Sequence, residues 1–563
     1  MPRPPRPPGP SPPGRQLLLA LLVAAAVLLP RAALVALAHS ETYDEEYHLS
    51  RGARFWTRSL VGVPLNDPPL GEALAAVPLV LANRNPAWSG GLYDHSLQPE
   101  PALLLTHLWM SGLFLAAIGV AFAWCRRLYG LPSAWLATAL LLAEPTFAAH
   151  APLATLDTFG ACGALVGSFL AWRFFERPTR ARLFAAASGI ACALLLKHTT
   201  LALLPVVAAY GALFWIVRPL LRQEGWPAWR ASLPARLASI GAALLAGAVV
   251  LWALTLFDVS RPRPQDDWGR RTIVPGVLDR SLPGGIYLTA LLQGIEHAGE
   301  GHAGFLLGER RLTGWWYYFP VLLLYKMPIG IAAVLVLGVA SLAWRRPRWE
   351  EWGLLVPWVA WTGLALQSRV NIGLRHFLPA YLFMLLLGVR SLARRDGAGG
   401  EPRAVGDRGN DDAAPPAWAR TVAWSGLVAT ALHALSYHPD YLSYLNLPRD
   451  RPWMAISDSN LDWGQGLKQA RDWLQRNRVP PDRPVHLLYF GDDPSGRRIR
   501  HYLGDGVTFA LRPGPLPSRG LVIASPVWVA GPYDPGGAYA PLRGRRPVAI
   551  IGHSLLVYDL DRP

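Results

Sequence analysis

Long apolar stretches recur along the chain and are separated by short polar segments. A helix needs about 20 apolar residues to cross the hydrocarbon core of a membrane. Such stretches begin near Leu17, Ala102, Leu131, Leu153, Leu183, Leu201, Leu237, Tyr325, Leu354, Leu374 and Thr421. The pattern predicts a polytopic α-helical membrane protein with about eleven transmembrane helices.

The pattern changes near residue 438. The last segment contains strand-like runs, VHLLYFG, GLVIASPVWVAG and VAIIGHSLLVYDL, which are separated by turns rich in Pro and Gly. Another stretch, DSNLDWGQGLKQARDWLQRN, is typical of a loop that runs into an amphipathic helix. We therefore expect a transmembrane domain over 16–438, with an outer loop over 39–101, and a small α/β domain over 439–563.

Two polar segments lack the composition of a packed fold. Residues 1–15 are rich in Pro and Arg, which predicts a disordered tail, and residues 396–418 predict a flexible loop. The run from Gln16 to Ala38 ends in a sequence like a signal-peptidase site. It is long enough to span, however, and many spans follow, so we interpret it as an uncleaved first helix.

Composition and charge distribution agree with a membrane protein. The 563 residues are 52% hydrophobic and only 16% charged, whereas soluble domains carry about 25% charged residues. The net charge is +16, but the arginines collect in alternate short loops on the side of the basic N-terminus. That arrangement predicts a cytoplasmic N-terminus and an extracytoplasmic C-terminal domain, with membrane lipids and no nucleic acid as partners. The three cysteines show neither metal-site spacing nor a disulfide framework.

The unusual polar residues near the predicted spans share the outer side of the membrane. Any one of them could be an interfacial side chain or a helix cap, but ionisable groups near membrane depth are costly and mark functional sites by default. Their common sidedness therefore predicts a site. They are Asp44, Glu45, Glu46, His48, Glu144, His150, Asp157, Lys197, His198, Lys326, Arg369, Asn371, Arg375 and His376.

Carboxylates that face several cations at a membrane surface suit one chemical task well. That task is transfer of a group from a phosphate-bearing lipid to an acceptor hydroxyl or amine. The cations would hold the phosphate leaving group and stabilise its growing charge. A carboxylate, Asp44 or Glu45, would take the proton of the acceptor, while the lipid tail lies between helices.

Several motifs strengthen this interpretation. They are YDEEYH, NDPPLGEALAAVPL, HAPLATLD, LLLKHTT, YKMP, NIGLRHFLP and SDSNLDWGQGL, in this order over most of the chain. Together they resemble bacterial phospholipid-carrier-dependent glycosyltransferases of the protein-mannosyltransferase-like family. They resemble, more distantly, the aminoarabinose transferases that modify lipid A.

The resemblance implies a GT-C fold and an inverting transfer from a polyprenyl-phosphate or dolichyl-phosphate sugar donor. The acceptor would be a protein, an envelope lipid or a glycan, outside the bacterial cytoplasmic membrane. The acidic pair Asp44 and Glu45 would be the catalytic motif, with Asp44 as the base and Glu46 as a solvated neighbour. The residues implied in contact with the donor phosphate are Lys197, Lys326, Arg369 and Arg375.

Seven further residues are predicted to support the site: His48, Asp67, His150, Asp157, His198, Asn371 and His376. The motif at Asp67 departs from the family, because many relatives have HPPL where this chain has DPPL. Use of a divalent metal is therefore left open, and Asp67 is either a second acidic group or the cap of the next helix. Asp157 is expected to orient Lys197 or to bond a nearby Thr.

One more cluster and two rival functions complete the alternatives. Asp458, Asp462 and Trp463 either bind the acceptor or form a turn that docks the outer domain, and we favour the turn.

A transporter or flippase would line a path to both membrane faces with its charges. A membrane-anchored binding or assembly protein would not need Lys197, Lys326 and Arg375 at one depth.

Overall fold

The structure is a computed structural model, and it describes the residue ranges 13–57, 65, 67–82, 99–223, 226–263, 280–393, 415–491, 493 and 495–562. Most of the predicted N-terminal tail and of the predicted loop 396–418 lies outside the described residues. Parts of the predicted outer loop, 58–64, 66 and 83–98, also lie outside them.

An apolar helix lies at each predicted position in the first part of the chain. Up to residue 254 the helices are α1 (Pro13–Ala38), α2 (Glu45–Trp56), α3 (Pro69–Leu81), α4 (Pro99–Tyr129), α5 (Leu131–Ala143), α6 (Pro145–His150), α7 (Leu156–Glu176), α8 (Arg180–Leu196), α9 (Leu203–Ala212), α10 (Arg218–Leu221) and α11 (Trp226–Leu254). Beyond it come α12 (Gly285–Glu300), α13 (Tyr318–Lys326), α14 (Ile329–Ala340), α15 (Trp352–Leu366), α16 (Leu378–Gly388) and α17 (Ala417–Leu435).

Several of these helices are long and apolar enough to cross a membrane, which makes this a multi-pass membrane protein. Among the described residues there are 5 such helices, Gly14–Ala38, Pro99–Tyr129, Leu156–Glu176, His198–Leu221 and Trp229–Leu254. The count is 6 if Tyr318–Lys326 and Ile329–Ala343, which meet at a bend of 118°, form one span. The remaining apolar helices are shorter, so the number of crossings stays a prediction.

Small residues let neighbouring helices approach closely. A Cβ atom added at Gly330 of α14 would lie 2.0 Å from the carbonyl oxygen of Gly426 in α17, and one added at Gly426 would lie 2.6 Å from that of Gly330. Close backbone contact through small residues is a common way of packing helices in membranes. Substitution of either glycine would force α14 and α17 apart.

The last part of the chain folds around a five-stranded mixed sheet. Four short strands precede it in two hairpin-like pairs, β1 (Val259–Ser260) with β2 (Leu282–Pro283) and β3 (Gly304–Leu306) with β4 (Glu309–Arg311). The sheet contains β5 (Val485–Leu488), β6 (Val507–Ala510), β7 (Leu521–Ala524), β8 (Ala549–Ile551) and β9 (Leu555–Asp559) in the order β6-β5-β7-β9-β8. Its helices are α18 (Leu467–Arg476), α19 (Arg497–Leu503), α20 (Pro526–Ala530) and α21 (Pro541–Gly544).

The register of this sheet follows from its buried apolar strands. β5 runs parallel to β6 and β7, with Val485 opposite both Val507 and Leu521. β9 runs antiparallel to β7, with Leu521 opposite Asp559. All residues of β7 and β9 are buried, which is expected for central strands covered on both faces.

The segment after α1 is joined to the C-terminal part of the chain. The backbone N–H of Ser40 donates to the Gln465 carbonyl at 3.0 Å, and that of Tyr43 donates to the Trp463 carbonyl at 2.7 Å. The ammonium group of Lys468 donates to the Ala36 carbonyl at 2.8 Å. The first outer loop is therefore held against the segment that leads into α18.

Candidate functional site

A cavity of about 1290 Å³ lies between one end of the membrane helices and the C-terminal part of the chain. Most of the site residues predicted from the sequence lie on its surface, although they come from distant parts of the chain. Those that line it are Asp44, His48, Asp67, Asp157, Lys197, His198, Arg369, Arg375 and His376.

Arg375 lies at the centre of the charged residues. Its Nη1 donates to Oδ2 of Asp44 at 3.0 Å and to Oδ2 of Asp157 at 3.3 Å. The ammonium group of Lys197 binds the other oxygen of Asp157. Asp157 is 2% exposed, whereas the Asp44 side chain is 27% exposed. Asp157 thus holds both cations from a buried position, and Asp44 is the more exposed of the two carboxylates that bind Arg375.

The Arg375 guanidinium is fixed on its other faces as well. Its carbon lies 3.9 Å from the centre of the Trp463 ring, and its Nε donates to Oγ of Ser459 at 3.1 Å. Guanidinium groups combine stacking and directional hydrogen bonds in this way. A cation held on three sides keeps a defined position for an anionic ligand.

Asp458 and Trp463 line the same cavity, while Asp462 lies behind it. Oδ1 of Asp458 accepts from the Ser459 N–H at 2.7 Å, and Oδ2 accepts from the hydroxyl of Tyr533. Asp462 is fully buried and accepts from the Gly464 N–H at 3.1 Å; burial raises its pKa to about 6. Asp462 has the contacts of a structural turn, whereas Asp458 and Trp463 face the site.

Glu45 points away from the cavity, although it adjoins Asp44. Its Oε1 accepts from Nε2 of His107 and from the Ala154 N–H, both at 2.9 Å, and its Oε2 accepts from the Thr42 N–H at 2.8 Å. Burial alone would raise the pKa of Glu45, but His107 and the two backbone amides outweigh burial and hold it below its usual value. The predicted catalytic pair is therefore divided, and only Asp44 lines the cavity.

Glu46 is bound to the C-terminal domain. One nitrogen of Arg498, Nη2, lies 2.5 Å from Glu46 Oε2, and Nε lies 2.6 Å from Glu41 Oε1. Arg498 is 1% exposed. The expectation that Glu46 is a solvated neighbour is wrong, because a buried arginine 452 positions away binds it.

Lys326 lies away from the cavity surface, contrary to the role implied for it. It is 4% exposed, and its ammonium group donates to the carbonyl oxygens of Leu442 at 2.7 Å and Asn460 at 2.6 Å. It therefore secures the segment between α17 and α18. Its position gives it no access to a phosphate in the cavity.

Asn371 and His150 also lie behind the cavity wall. The Asn371 side-chain oxygen accepts from the Trp315 N–H at 2.7 Å. The ring of His150 lies 6.0 Å from that of Trp463, and burial lowers the pKa of His150 to about 3. Both residues support the structure around the site through these contacts.

His48, Asp67 and Glu72 form a group that has the composition of a metal site. Their potential ligand atoms lie within 4.8 Å of one another. His48 Nδ1 and Glu72 Oε1 are already bonded at 2.9 Å, and Arg51 Nε lies 3.1 Å from the other oxygen of Glu72. Burial would lower the pKa of His48, but Glu72 outweighs burial and raises it. A metal bound between these atoms would replace the hydrogen bond between His48 and Glu72 Oε1, together with its proton.

Apolar side chains line another side of the cavity. They come from the turn before α9, from α12 and from the outer end of α15, and include Leu201, Leu291, Ile295, Trp361 and Leu364. Ile295 and Leu364 are 44% and 46% exposed. This side offers a hydrocarbon chain a surface that is continuous with the charged centre.

Sequence reasoning missed several residues around the site, namely Glu41, Arg51, Glu72, His107, Arg498, Phe490 and Tyr533. Arg51 lies three positions after His48, and Glu72 lies five positions after Asp67 in the same motif. Their closeness to predicted site residues could have pointed to them. Arg498 and Tyr533 lie in the C-terminal domain in segments without a distinguishing pattern.

No protein-family model matches the chain, and no curated protein matches it. Among solved structures, ArnT from Cupriavidus metallidurans bound to undecaprenyl phosphate is similar at 14% identity and a TM-score of 0.48, over 97% of this chain and 98% of that one. The archaeal oligosaccharyltransferase AglB from Archaeoglobus fulgidus, in complex with an inhibitory peptide and a dolichol-phosphate, is similar at 12% identity and a TM-score of 0.44, over 94% and 72%.

The predicted resemblance to the lipid A aminoarabinose transferases is confirmed as a distant similarity over nearly the whole chain. Both TM-scores are below 0.5. The assignment of a reaction to this chain therefore rests on the geometry of its own site.

Proposed function

We propose that this protein is an integral-membrane glycosyltransferase that uses a polyprenyl-phosphate-linked sugar as donor. It transfers the sugar to an acceptor on the outer face of the bacterial cytoplasmic membrane. The observation that carries the proposal is the Lys197–Asp157–Arg375–Asp44 arrangement, in which fixed cations and an accessible carboxylate share a cavity with an apolar side.

In the proposed binding mode, the charged and apolar parts of the cavity orient the donor. Its phosphate lies against Arg375, Lys197 and the exposed Arg369, where charge-assisted hydrogen bonds can form. Its polyprenyl chain follows the apolar side toward the membrane helices. Lys326 takes no part in binding the phosphate, because two backbone carbonyls hold its ammonium group.

Asp44 acts as the general base. It takes the proton from the acceptor hydroxyl or amine as the acceptor atom attacks the anomeric carbon. The bond from that carbon to the phosphate oxygen breaks, and the lipid phosphate leaves with the bonding electrons. Arg375 and Lys197 stabilise the negative charge that develops on it. A single displacement of this kind inverts the anomeric centre.

Transfer by reconstituted protein tests the proposal. Purified protein in proteoliposomes is supplied with undecaprenyl-phosphate-linked sugars, and both the sugar released from phosphate and the product anomer are measured. Asp44→Asn should lower transfer by a factor of ~10² or more while the protein still binds the donor. Glu309→Gln, which changes an exposed carboxylate outside the cavity, is the matched control and should keep wild-type transfer.

Two results would contradict the proposal. One is wild-type transfer by Asp44→Asn. The other is movement of the intact donor across the bilayer with no cleavage from phosphate, which is the behaviour of a flippase. Mass spectrometry of envelope lipids and glycoproteins from a deletion strain would then identify the sugar and the acceptor.

A further inference from the structure

Aromatic rings form one wall of the cavity. Tyr43, Phe490, Trp528 and Tyr533 line it. The centre of the Phe490 ring lies 5.6 Å from that of Tyr43 and 5.6 Å from that of Tyr533, with which it is stacked at 12°. The Trp528 ring lies 6.3 Å from Phe490. We call these four residues the aromatic wall.

A polar pair is set into the aromatic wall. The Tyr533 hydroxyl donates to Oδ2 of Asp458 and lies 3.5 Å from Nδ1 of His302. Asp458 has a φ of +63°, a left-handed backbone conformation that is costly for a residue other than glycine. Such conformations concentrate at functional sites, where the surrounding structure enforces them.

The aromatic wall begins beside the proposed base. Tyr43 precedes Asp44 directly, and its N–H is bonded to the Trp463 carbonyl at 2.7 Å. The aromatic wall comes from the first outer loop and the C-terminal domain, whereas the apolar side comes from helices α12 and α15. A molecule on the wall can therefore present a group to Asp44 while the donor occupies the other side.

We propose that the aromatic wall is the acceptor subsite and that the acceptor is a saccharide. This inference rests on the function proposed above and narrows its acceptor to a sugar hydroxyl. One face of a pyranose ring carries C–H groups, which pack against the negative face of an aromatic ring. Its peripheral hydroxyls match the carboxylate of Asp458 and the hydroxyl oxygen of Tyr533, both of which can accept hydrogen bonds.

The backbone beside Phe490 favours a saccharide over a peptide. The Tyr489 N–H donates to the Ala510 carbonyl at 3.0 Å, and the Tyr489 carbonyl accepts from the Trp528 indole at 2.9 Å. Both main-chain groups of Tyr489, the residue before Phe490, are thus already paired. A peptide that extends a sheet needs free main-chain groups, whereas a sugar ring needs only the ring faces.

Saturation-transfer NMR on the full-length protein in nanodiscs tests the inference. The probes are mannotriose, maltotriose, chitotriose and a Ser/Thr-containing hexapeptide. Wild-type protein should saturate the C–H protons of at least one trisaccharide. Phe490→Leu should weaken its binding by about tenfold, Phe490→Trp should keep it, and Trp316→Leu, which changes an aromatic residue 69% exposed outside the cavity, should not alter it.

Undecaprenyl phosphate binding is measured on the same samples and separates the two proposals. Unchanged lipid-phosphate affinity in Phe490→Leu, together with lost trisaccharide binding, supports the acceptor subsite. Lipid-phosphate binding without binding of any trisaccharide overturns the subsite and leaves the glycosyltransferase standing. Binding of the hexapeptide in place of the trisaccharides overturns the acceptor class.

Discussion

Glu45 and Asp44 are adjacent carboxylates with different surroundings, and substitution should separate their roles. In Glu45→Gln, the amide has one acceptor oxygen where the carboxylate has two. Whichever way the amide turns, the backbone N–H of Thr42 or of Ala154, each bonded to a different oxygen in the native protein, faces an NH2 group. A buried donor left unsatisfied costs about 1–3 kcal/mol. The variant should therefore unfold at a lower temperature.

Removal of the whole side chain should be more damaging. Glu45→Ala leaves His107, which is 1% exposed, without its partner. Each buried polar group left unsatisfied costs about 1–3 kcal/mol, and the N–H groups of Thr42 and Ala154 lose their acceptor as well. Asp44→Asn, by contrast, changes a partly exposed group and should keep a melting temperature close to that of the wild type while abolishing transfer.

Thermal unfolding followed by size-exclusion chromatography measures the first effect, and transfer assayed well below the melting temperature measures the second. Glu309→Gln again serves as the surface control. Glu45→Gln could instead have the melting temperature of the wild type and lose transfer as completely as Asp44→Asn. In that case Glu45 takes part in the chemistry, and its assignment to a structural role is wrong.

The remaining predictions concern three other buried basic side chains, those of Lys326, His48 and Arg498. Lys326→Met should keep undecaprenyl phosphate affinity and lower the melting temperature, because two carbonyls lose their donor; a large loss of lipid-phosphate affinity in a stably folded variant would return Lys326 to the donor site. The pKa of His48 is raised above the usual ~6.5, so its contact with Glu72 stabilises the fold fully below that pH and less as pH rises through the folded pKa. The melting temperature of the wild type relative to His48→Gln should therefore fall as the pH rises above about 6.5, and a difference that stays constant would contradict this assignment. Arg498→Gln should reduce transfer as well as stability, whereas Arg498→Lys should restore part of both, measured as turnover at saturating donor; wild-type turnover in Arg498→Gln would show that its contact with Glu46 does not position the loop.

The positions of the helices could be predicted because twenty apolar residues carry a strong signal by themselves. The alternation of arginine-rich loops predicts that Asp44, Lys197 and Arg375 share one side of the membrane, and the structure brings these residues to one cavity. Which of two adjacent carboxylates faces the cavity could not be predicted. Successive residues at the start of a helix point in directions about 100° apart, and a partner 62 positions away, His107, determines the direction of Glu45.

The expected depth of a residue in the membrane did not predict which groups its side chain binds. Lys326 was expected at the outer boundary, and it does lie at the break between α13 and α14. What it binds depends on the path of the chain after α17, about which local sequence says nothing. The role of Arg498 could not be predicted either, because it depends on a contact with Glu46, which lies 452 positions away in the sequence.

The bond between Ser40 and Gly464, which lie 424 positions apart, also constrains the biosynthesis of the protein. Helix α1 and the loop after it leave the ribosome well before the residues that hold the loop in place, which are made 424 positions later. Chains are synthesised at about 5–20 residues per second. Tens of seconds therefore pass between the synthesis of Asp44 and the synthesis of the residues that orient it. An incomplete chain would insert Asp44, Lys197 and the apolar helices into the membrane before they are assembled into a site. Assembly of the site thus requires synthesis of the chain through α18, and fragments released before α18 should be inert in the membrane.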